Sequence, residues 1–221
     1  MTRRRIIIVD DHPLFRAALR QTLAGGDPSI VVEEAGDLAG VNAALEADRD
    51  CDLVLLDLNM PGVRGFSGLL LLRAQYPDVP VMIISAVEDV GVIRRAFELG
   101  AAGYLHKSVS PPEIRRAIET VLAGEVFVPE GADLPGDDAQ TALLQRLATL
   151  TPQQVRVLMM LSDGLMNKQI AYELSISEAT VKAHVSAILQ KLDVDSRTQA
   201  VIAASKIEEG QFDALFSSTS S

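Results

Sequence analysis

Four short hydrophobic runs of this 221-residue chain each lead into a residue able to do chemistry. Arg5-Ile-Ile-Ile-Val runs into Asp10 and Asp11, Asp52-Leu-Val-Leu-Leu into Asp57, Val81-Met-Ile-Ile into Ser85, and Gly103-Tyr-Leu is followed closely by Lys107. In a doubly wound α/β sheet such ends converge just outside the carboxyl edge of the strands. Three carboxylates there repel one another and raise each other's pKa, unless a hard divalent cation such as Mg²⁺ takes them as oxygen ligands. Lys107 adds a second positive charge. A carboxylate beside such a cation, a lysine and a hydroxyl is suited to accept a phosphoryl group, because the cations neutralise the equatorial oxygens while the carboxylate attacks in line.

The elements that must position these groups are legible as an alternation. With Ile30-Val-Val32 added, the runs read as five strands whose near-continuous hydrophobicity suits burial on both faces of a parallel sheet. Helical patterns lie between them at 13–23, 38–47, 66–76, 90–99 and 111–122. The last opens with Ser110, prolines in its first turn and Glu113 three residues after the serine, which predicts a capping box. The glycines at 62, 65 and 68 read as turn and close-packing positions, since no Gly-x-Gly-x-x-Gly or Walker lysine accompanies them. This is a (βα)5 pattern over residues 1–128. Residues 129–146 read as a linker, because 129–141 concentrate proline, glycine and aspartate without hydrophobic periodicity. From 147 to 209 the pattern is helical only, with segments at 152–162, 167–174, 178–191 and 197–208, and residues 210–221 read as a tail with a frayed end.

Composition narrows the classes. The longest apolar runs are far short of a bilayer span and the N-terminus lacks a secretory pattern, so a cytoplasmic location is expected. The single cysteine, Cys51, has no partner for a disulfide or a cysteine zinc cluster and reads as a buried small hydrophobe. The net charge of −10 is spread out: residues 1–130 carry 13 Lys and Arg against 19 Asp and Glu, residues 150–209 carry 6 against 7. DNA binding by bulk charge is therefore excluded, and any DNA contact must come from a local arrangement of a few cations. His12 and His106 read as loop residues facing solvent.

Asp10-Asp11, Asp57 with the following Leu-Asn-Met-Pro61-Gly62, Ser85, Tyr104 and Lys107, in that order and spacing, resemble the receiver domain of two-component response regulators. The resemblance implies a sheet of flavodoxin-like order and Asp57 as phosphoacceptor. It implies Mg²⁺ held by Asp11, Asp57 and the backbone carbonyl of Asn59, with Asp10 assisting, and Ser85 and Lys107 on the phosphoryl oxygens. Ser85 and Tyr104 are implied as the switch, the hydroxyl moving toward the phosphate while the aromatic turns inward. Serine at 85 in place of threonine, and Ser108 in place of proline, remove no needed group.

In the helical region, Val181, Val185, Ile188 and Leu192 form one buried stripe along a helix capped by Ser177. The opposite face offers Ala179, Lys182, Ala183, Ser186 and Gln190, short or polar side chains that suit a major groove. The helix N-terminus with Thr180 can meet a phosphate. Asn167-Lys-Gln-Ile-Ala171, Ser177-x-x-Thr-Val-Lys182-x-His-Val185, Lys191-Leu192 and Ser196-Arg-Thr-Gln-Ala200 are similar to the LuxR-type helix-turn-helix of the NarL and FixJ class. That resemblance implies base-edge contacts from Lys182, Ala183 and Ser186, phosphate contacts from Lys168, Thr180, Lys191 and Arg197, and a dimer contact through Val201, Ala204 and Ile207 of a last helix capped by Ser196 with Gln199. Gln153-Gln154 departs from the family's Arg-Glu pair. Residues 177–197 balance Lys182, Lys191 and Arg197 against Glu178, Asp193 and Asp195, which predicts modest, salt-sensitive affinity.

Together these readings describe a DNA-binding transcriptional regulator, not a turnover enzyme, switched by a histidine kinase that phosphorylates Asp57. It would use Mg²⁺, bind double-stranded promoter DNA, and form a homodimer when phosphorylated or DNA-bound. Two alternatives stand beside it. One is a regulator independent of phosphorylation, whose receiver serves as a dimerisation or partner-binding module. The other is a phosphatase of the haloacid dehalogenase type, disfavoured because Asp57-Leu58-Asn59 lacks the Asp-x-Asp nucleophile loop.

Overall fold

The computed structural model describes residues 3–25, 27–132 and 139–208; the tail expected at 210–221 and part of the expected linker lie outside them. Five parallel strands, β1 (Arg4–Val9), β2 (Ile30–Ala35), β3 (Leu53–Asp57), β4 (Val81–Ser85) and β5 (Gly103–His106), form one sheet in the order β2-β1-β3-β4-β5. The crossovers are α1 (Pro13–Ala24), α2 (Leu38–Ala47), α3 (Ser67–Gln75) and α4 (Val90–Glu98), and α5 (Pro111–Leu122) follows β5. Strand order reverses between β1 and β3, so Asp10 and Asp57 flank the topological switch point where such sheets bind ligands.

The hydrophobic runs bury both faces, as their composition demands. Ile6, Ile8, Leu53, Leu55, Met82 and Ile84 pack toward α1 and α5, while Ile7, Val9, Val54, Leu56, Val81 and Ile83 pack on the opposite face. Gly62 takes a φ of +79°, and a Cβ at Gly68 would lie 3.3 Å from Leu38 and Val63, so the two answer to turn geometry and close packing respectively.

Two local expectations are corrected. Ser110 precedes α5 in extended backbone but its side chain makes no capping bond, so the start rests on the prolines alone. The capping box lies instead at α7 (Pro152–Ser162), where Thr151 Oγ1 accepts the Gln154 amide and Gln154 Oε1 accepts the Thr151 amide. Gln154, one of the two glutamines that stand where the resembled pattern has an Arg-Glu pair, thus supplies the acceptor of this box. The second half of the expected linker is helical: α6 spans Ala139–Ala148 and buries Leu144 and Leu147. The short run of good helix formers Ala-Leu-Leu-Gln-Arg-Leu-Ala drives this once an apolar surface is available.

Helices α7, α8 (Asn167–Glu173), α9 (Glu178–Leu192) and α10 (Arg197–Glu208) complete the second domain. It packs on the receiver-like unit rather than hanging from it. Helix α7 lies against α3 and α6 against α3 and α4. An ion pair joins Arg64 to Asp163, and the Phe66 amide donates to the Ile207 carbonyl near the end of α10 at 3.0 Å. At the α4–α6 seam, buried Glu98 accepts from Arg94 Nε at 2.8 Å and from Thr141 Oγ1 at 2.7 Å.

Candidate functional site

The turn after β1 and the ends of β3, β4 and β5 build the predicted pocket. Asp10, Asp57 and Ser85 are fully buried, and one ligand atom from each of Asp10, Asp11, His12 and Asp57 lies within 4.8 Å of the others. Lys107 closes the group, its Nζ 2.7 Å from Asp10 Oδ2 and 2.8 Å from Asp57 Oδ2. Its backbone is set by the Ser85 carbonyl, which accepts the Lys107 amide at 2.7 Å. Asn59 is exposed, and its amide donates to Asp57 Oδ1 at 3.1 Å. The Ser85 hydroxyl accepts from the Val87 amide at 3.2 Å, which pins the start of the β4–α4 loop.

Electrostatics follow from this packing. Burial pushes the Asp57 carboxyl above its ordinary range, against the pull of Lys107 and the Asn59 amide. Burial also opposes charge on Lys107, yet its ion pairs with the Asp10 and Asp57 carboxylates outweigh it and hold the ammonium above its usual pKa. Asp10 Oδ2, 2.7 Å from Lys107 Nζ, and Asp11 Oδ1, 2.8 Å from His12 Nδ1, are sequestered from solvent and lack a well-aligned hydrogen bond. Under-coordinated carboxylate oxygens converging on one point fit a hard cation such as Mg²⁺.

Four neighbours were missed or undervalued by the sequence. His12 does not simply face solvent: its amide and Nδ1 approach Asp10 Oδ1 at 2.7 and 3.1 Å, and Nδ1 lies 2.8 Å from Asp11. Its adjacency to the acid pair was the available signal. Arg16 donates to the Asp10 carbonyl and pairs with Glu34, fixing the β1–α1 turn. Phe15 places its ring 4.8 Å from Lys107 Nζ, which no sequence pattern announced. His106 is likewise engaged, with Nε2 2.9 Å from the Ala86 carbonyl.

Tyr104 is buried to 1% exposure, its hydroxyl donating to the Val87 carbonyl at 2.7 Å. Burial pushes its phenol up to about 12. The ring is inside while α10 still packs on the first domain, so the two arrangements are compatible.

On the second domain Lys168, Thr180, Lys182, Ala183 and Ser186 are all exposed, as a reading face requires. Ser177 caps α9 by accepting from the Thr180 amide, and Lys182 pairs with Glu178 one turn back at 3.3 Å. Lys191 donates to the Thr149 carbonyl at 2.7 Å. Arg197, expected at a DNA phosphate, here donates from its guanidinium to Asn167 Oδ1 and to the Leu165 carbonyl, clamping the turn before α8. Ser196 caps α10 by accepting the Gln199 amide. Of the expected dimer face, Ala204 and Ile207 are fully buried within the chain and Val201 is half-buried. Exposed Ile202 is the apolar residue that α10 shows to solvent.

A doubly wound receiver fold with a phosphoacceptor-type acidic pocket, joined to a helix-turn-helix with an exposed reading face, defines a class of signalling regulator. Residues 6–119 match the response regulator receiver domain family, and residues 148–204 match the bacterial regulatory proteins of the luxR family. The chain is 42% identical to the glycerol metabolism activator of Pseudomonas putida over 214 residues, covering 92% of this chain and 96% of the relative. It is 38% identical to the nitrate/nitrite response regulator protein NarP of Escherichia coli K12 over 201 residues, covering 90% and 93%. Among solved structures, a LuxR family DNA-binding response regulator from Silicibacter pomeroyi superposes with a TM-score of 0.52 at 36% identity, over 57% of this chain and 98% of that one. The RcsB–DNA complex shares the fold over 93% of this chain and 99% of its own, with a TM-score of 0.55 at 21% identity. This chain belongs to the receiver-containing response regulators with a LuxR-type DNA-binding domain. It is a DNA-binding transcriptional response regulator, and among its described residues no helix is long and apolar enough to cross a membrane.

Proposed function

We propose that Asp57 is the phosphoacceptor, and that its phosphorylation by a partner histidine kinase releases the DNA-binding domain for paired promoter binding. The carrying observation is the convergence of Asp10, Asp11 and Asp57 with Lys107 at the sheet's switch point. In the transfer, an Asp57 carboxylate oxygen attacks phosphorus, the bond to the kinase imidazole breaks, and the imidazole leaves with its electron pair. Asp11, Asp57 and the Asn59 carbonyl would hold Mg²⁺, with Asp10 assisting, and the cation would supply neutralisation of phosphoryl charge. Ser85 and Lys107 take the phosphoryl oxygens. Self-dephosphorylation is attack by water on the same phosphorus, a reset and not turnover catalysis.

We divide the chain into a receiver to residue 128, a linker to 146 and a DNA-binding domain from 147 to 209, acting in the cytoplasm. Lys182, Ala183 and Ser186 read base edges, and Lys168, Thr180 and Lys191 meet phosphates. Arg197 serves them from within the domain. Homodimerisation through Val201, Ala204 and Ile207 requires α10 to shift on its own domain, since Ala204 and Ile207 are covered in the chain, where α10 packs on α7 and α9. The bond from the Phe66 amide to the Ile207 carbonyl holds α10 in place while the α9 face stays exposed, so closure acts on pairing and not on the reading helix. A displaced Ser85 hydroxyl releases the Val87 amide, shifts the loop whose carbonyl holds Tyr104, and reaches α4 and its contact with Thr141.

The test is intact-protein mass after incubation with Mg²⁺ and a small acyl phosphate, for wild type and Asp57→Asn, followed by DNA binding of both. One added phosphoryl group in wild type alone, with tighter binding to paired half-sites, is expected. Unmodified wild type that binds paired sites equally well overturns the switch and leaves the receiver as a partner-binding module.

A further inference from the structure

Lys107 has a neighbour that phosphoryl transfer itself does not call for. Besides Asp10 and Asp57, its Nζ lies 4.8 Å from the centroid of the half-buried Phe15 ring. Phe15 is the third residue of α1. Its amide donates to the His12 carbonyl at 3.1 Å, and Arg16 beside it donates to the Asp10 carbonyl, so the ring is anchored to the same turn that carries the acid pair.

The type of side chain matters here. An aliphatic residue would fill the volume without attracting an ammonium, and an acid would add a fourth carboxylate to a pocket already dominated by repulsion. An aromatic face attracts the cation through its quadrupole while carrying no formal charge and accepting no strong hydrogen bond. During transfer the electrostatic surroundings of Lys107 change: Asp57 loses its anionic charge on becoming an acyl phosphate, and new anionic oxygens appear beside it. The ring is the partner of Lys107 whose charge and bonding do not change.

We propose that Phe15 is a positioning residue for phosphorylation, its ring holding the Lys107 ammonium over the pocket while the N–H donors pass from the Asp10 and Asp57 carboxylates to the phosphoryl oxygens. The inference rests on Asp57 being the phosphoacceptor. Rates of phosphorylation by a small acyl phosphate at saturating Mg²⁺ test it on the full chain. Phe15→Leu is expected to slow phosphorylation about three- to ten-fold, and Phe15→Tyr, which keeps the ring, to restore most of the rate. In a Lys107→Met background Phe15→Leu should have no further effect. The Lys107 side-chain proton resonances should lose their ring-current shift in Phe15→Leu while the melting temperature changes little. Equal rates for wild type and Phe15→Leu, or the same loss with and without Lys107, overturn the proposal and return Phe15 to packing alone. Wild type that takes no phosphoryl group fails the underlying reading instead, and the proposal with it; a ring-current shift that never appears fails only the proposal.

Discussion

The acidic pocket of the receiver and the proposed reading face of α9 suit recognition of phosphate-bearing partners in opposite ways. In the pocket every functional group is buried or held by at least one neighbour: Asp57 by Lys107 and the Asn59 amide, Lys107 by two carboxylates and a ring, Asp10 by His12 and Lys107. On α9, Lys182, Ala183 and Ser186 stand in solvent, and Lys182 has only a one-turn pair with Glu178. The first site is organised before its ligand arrives, because misplaced charges in a buried site cost several kcal/mol. The second leaves ordering to the DNA, because exposed cations gain their energy from counterion release on contact. Single changes should therefore be severe and non-additive in the pocket, and graded on the helix.

Lys107→Met is the sharpest way to break that contrast. It leaves Asp10 and Asp57 facing each other without their shared cation, with an expected loss of about 1–3 kcal/mol at neutral pH, read as a lower melting temperature. The pH dependence has a definite sign. The Asp57 pKa is already raised by burial, and removing Lys107 raises it further. A raised acid carries stability that is present below its unfolded value near 3.8 and is lost as pH rises through the folded one, so the variant's deficit should grow from acid toward neutral pH. Mg²⁺ should recover much of it. A deficit insensitive to both pH and Mg²⁺ would mean that the pocket is not organised around charge.

On the DNA side, Lys182→Ala is expected to weaken a specific site about ten-fold or more while sparing random-sequence duplex. Lys168→Gln should act the other way, weakening all sequences and lowering the salt slope by about 0.9. Arg197→Gln separates the two classes of cation in the domain. Because its guanidinium is spent on Leu165 and Asn167, affinity should fall mainly through a loosened α8, and in a Lys168→Gln background the slope should not fall again. A further drop of about 0.9 would identify Arg197 as a phosphate contact after all.

What the sequence disclosed follows the same division. Strand ends were legible because a parallel sheet forces hydrophobic runs to stop at its carboxyl edge, and Asp10, Asp57, Ser85 and Lys107 sit at or just beyond those stops. The exposed face of α9 was legible because the helix alternates a buried stripe with exposed short residues. Contacts across long sequence separations were not. Nothing in local pattern says that Phe15 will lie over a lysine 92 positions later, that Arg197 will reach back to Leu165, or that α10 will bury Ala204 and Ile207 while its end meets Phe66. The helix at 139–148 was read as part of a linker because its burial depends on α3 and α4, elements far upstream.

The α4–α6 seam gives the comparison a test between the two sites. Glu98 is buried, with Arg94 one turn earlier on its own helix and Thr141 across the seam. When α6 departs, Arg94 goes on neutralising Glu98, so opening strands no unpaired charge; what is broken across the seam is the hydroxyl's bond to Glu98 and the bond it accepts from Arg94 Nη2. Such a contact is strong enough to bias closure and cheap enough to release, unlike the pocket, where every partner lost exposes a charge. Thr141→Val keeps the volume and removes the hydroxyl, and it should shift the balance toward the open form about ten-fold. Small-angle scattering should then show a larger radius of gyration, and paired half-sites should bind more tightly without phosphodonor. Thr141→Ser should restore the closed behaviour. If Thr141→Val opens nothing, closure rests on the apolar α3–α7 contact and the Phe66–Ile207 bond, and the seam only fills space.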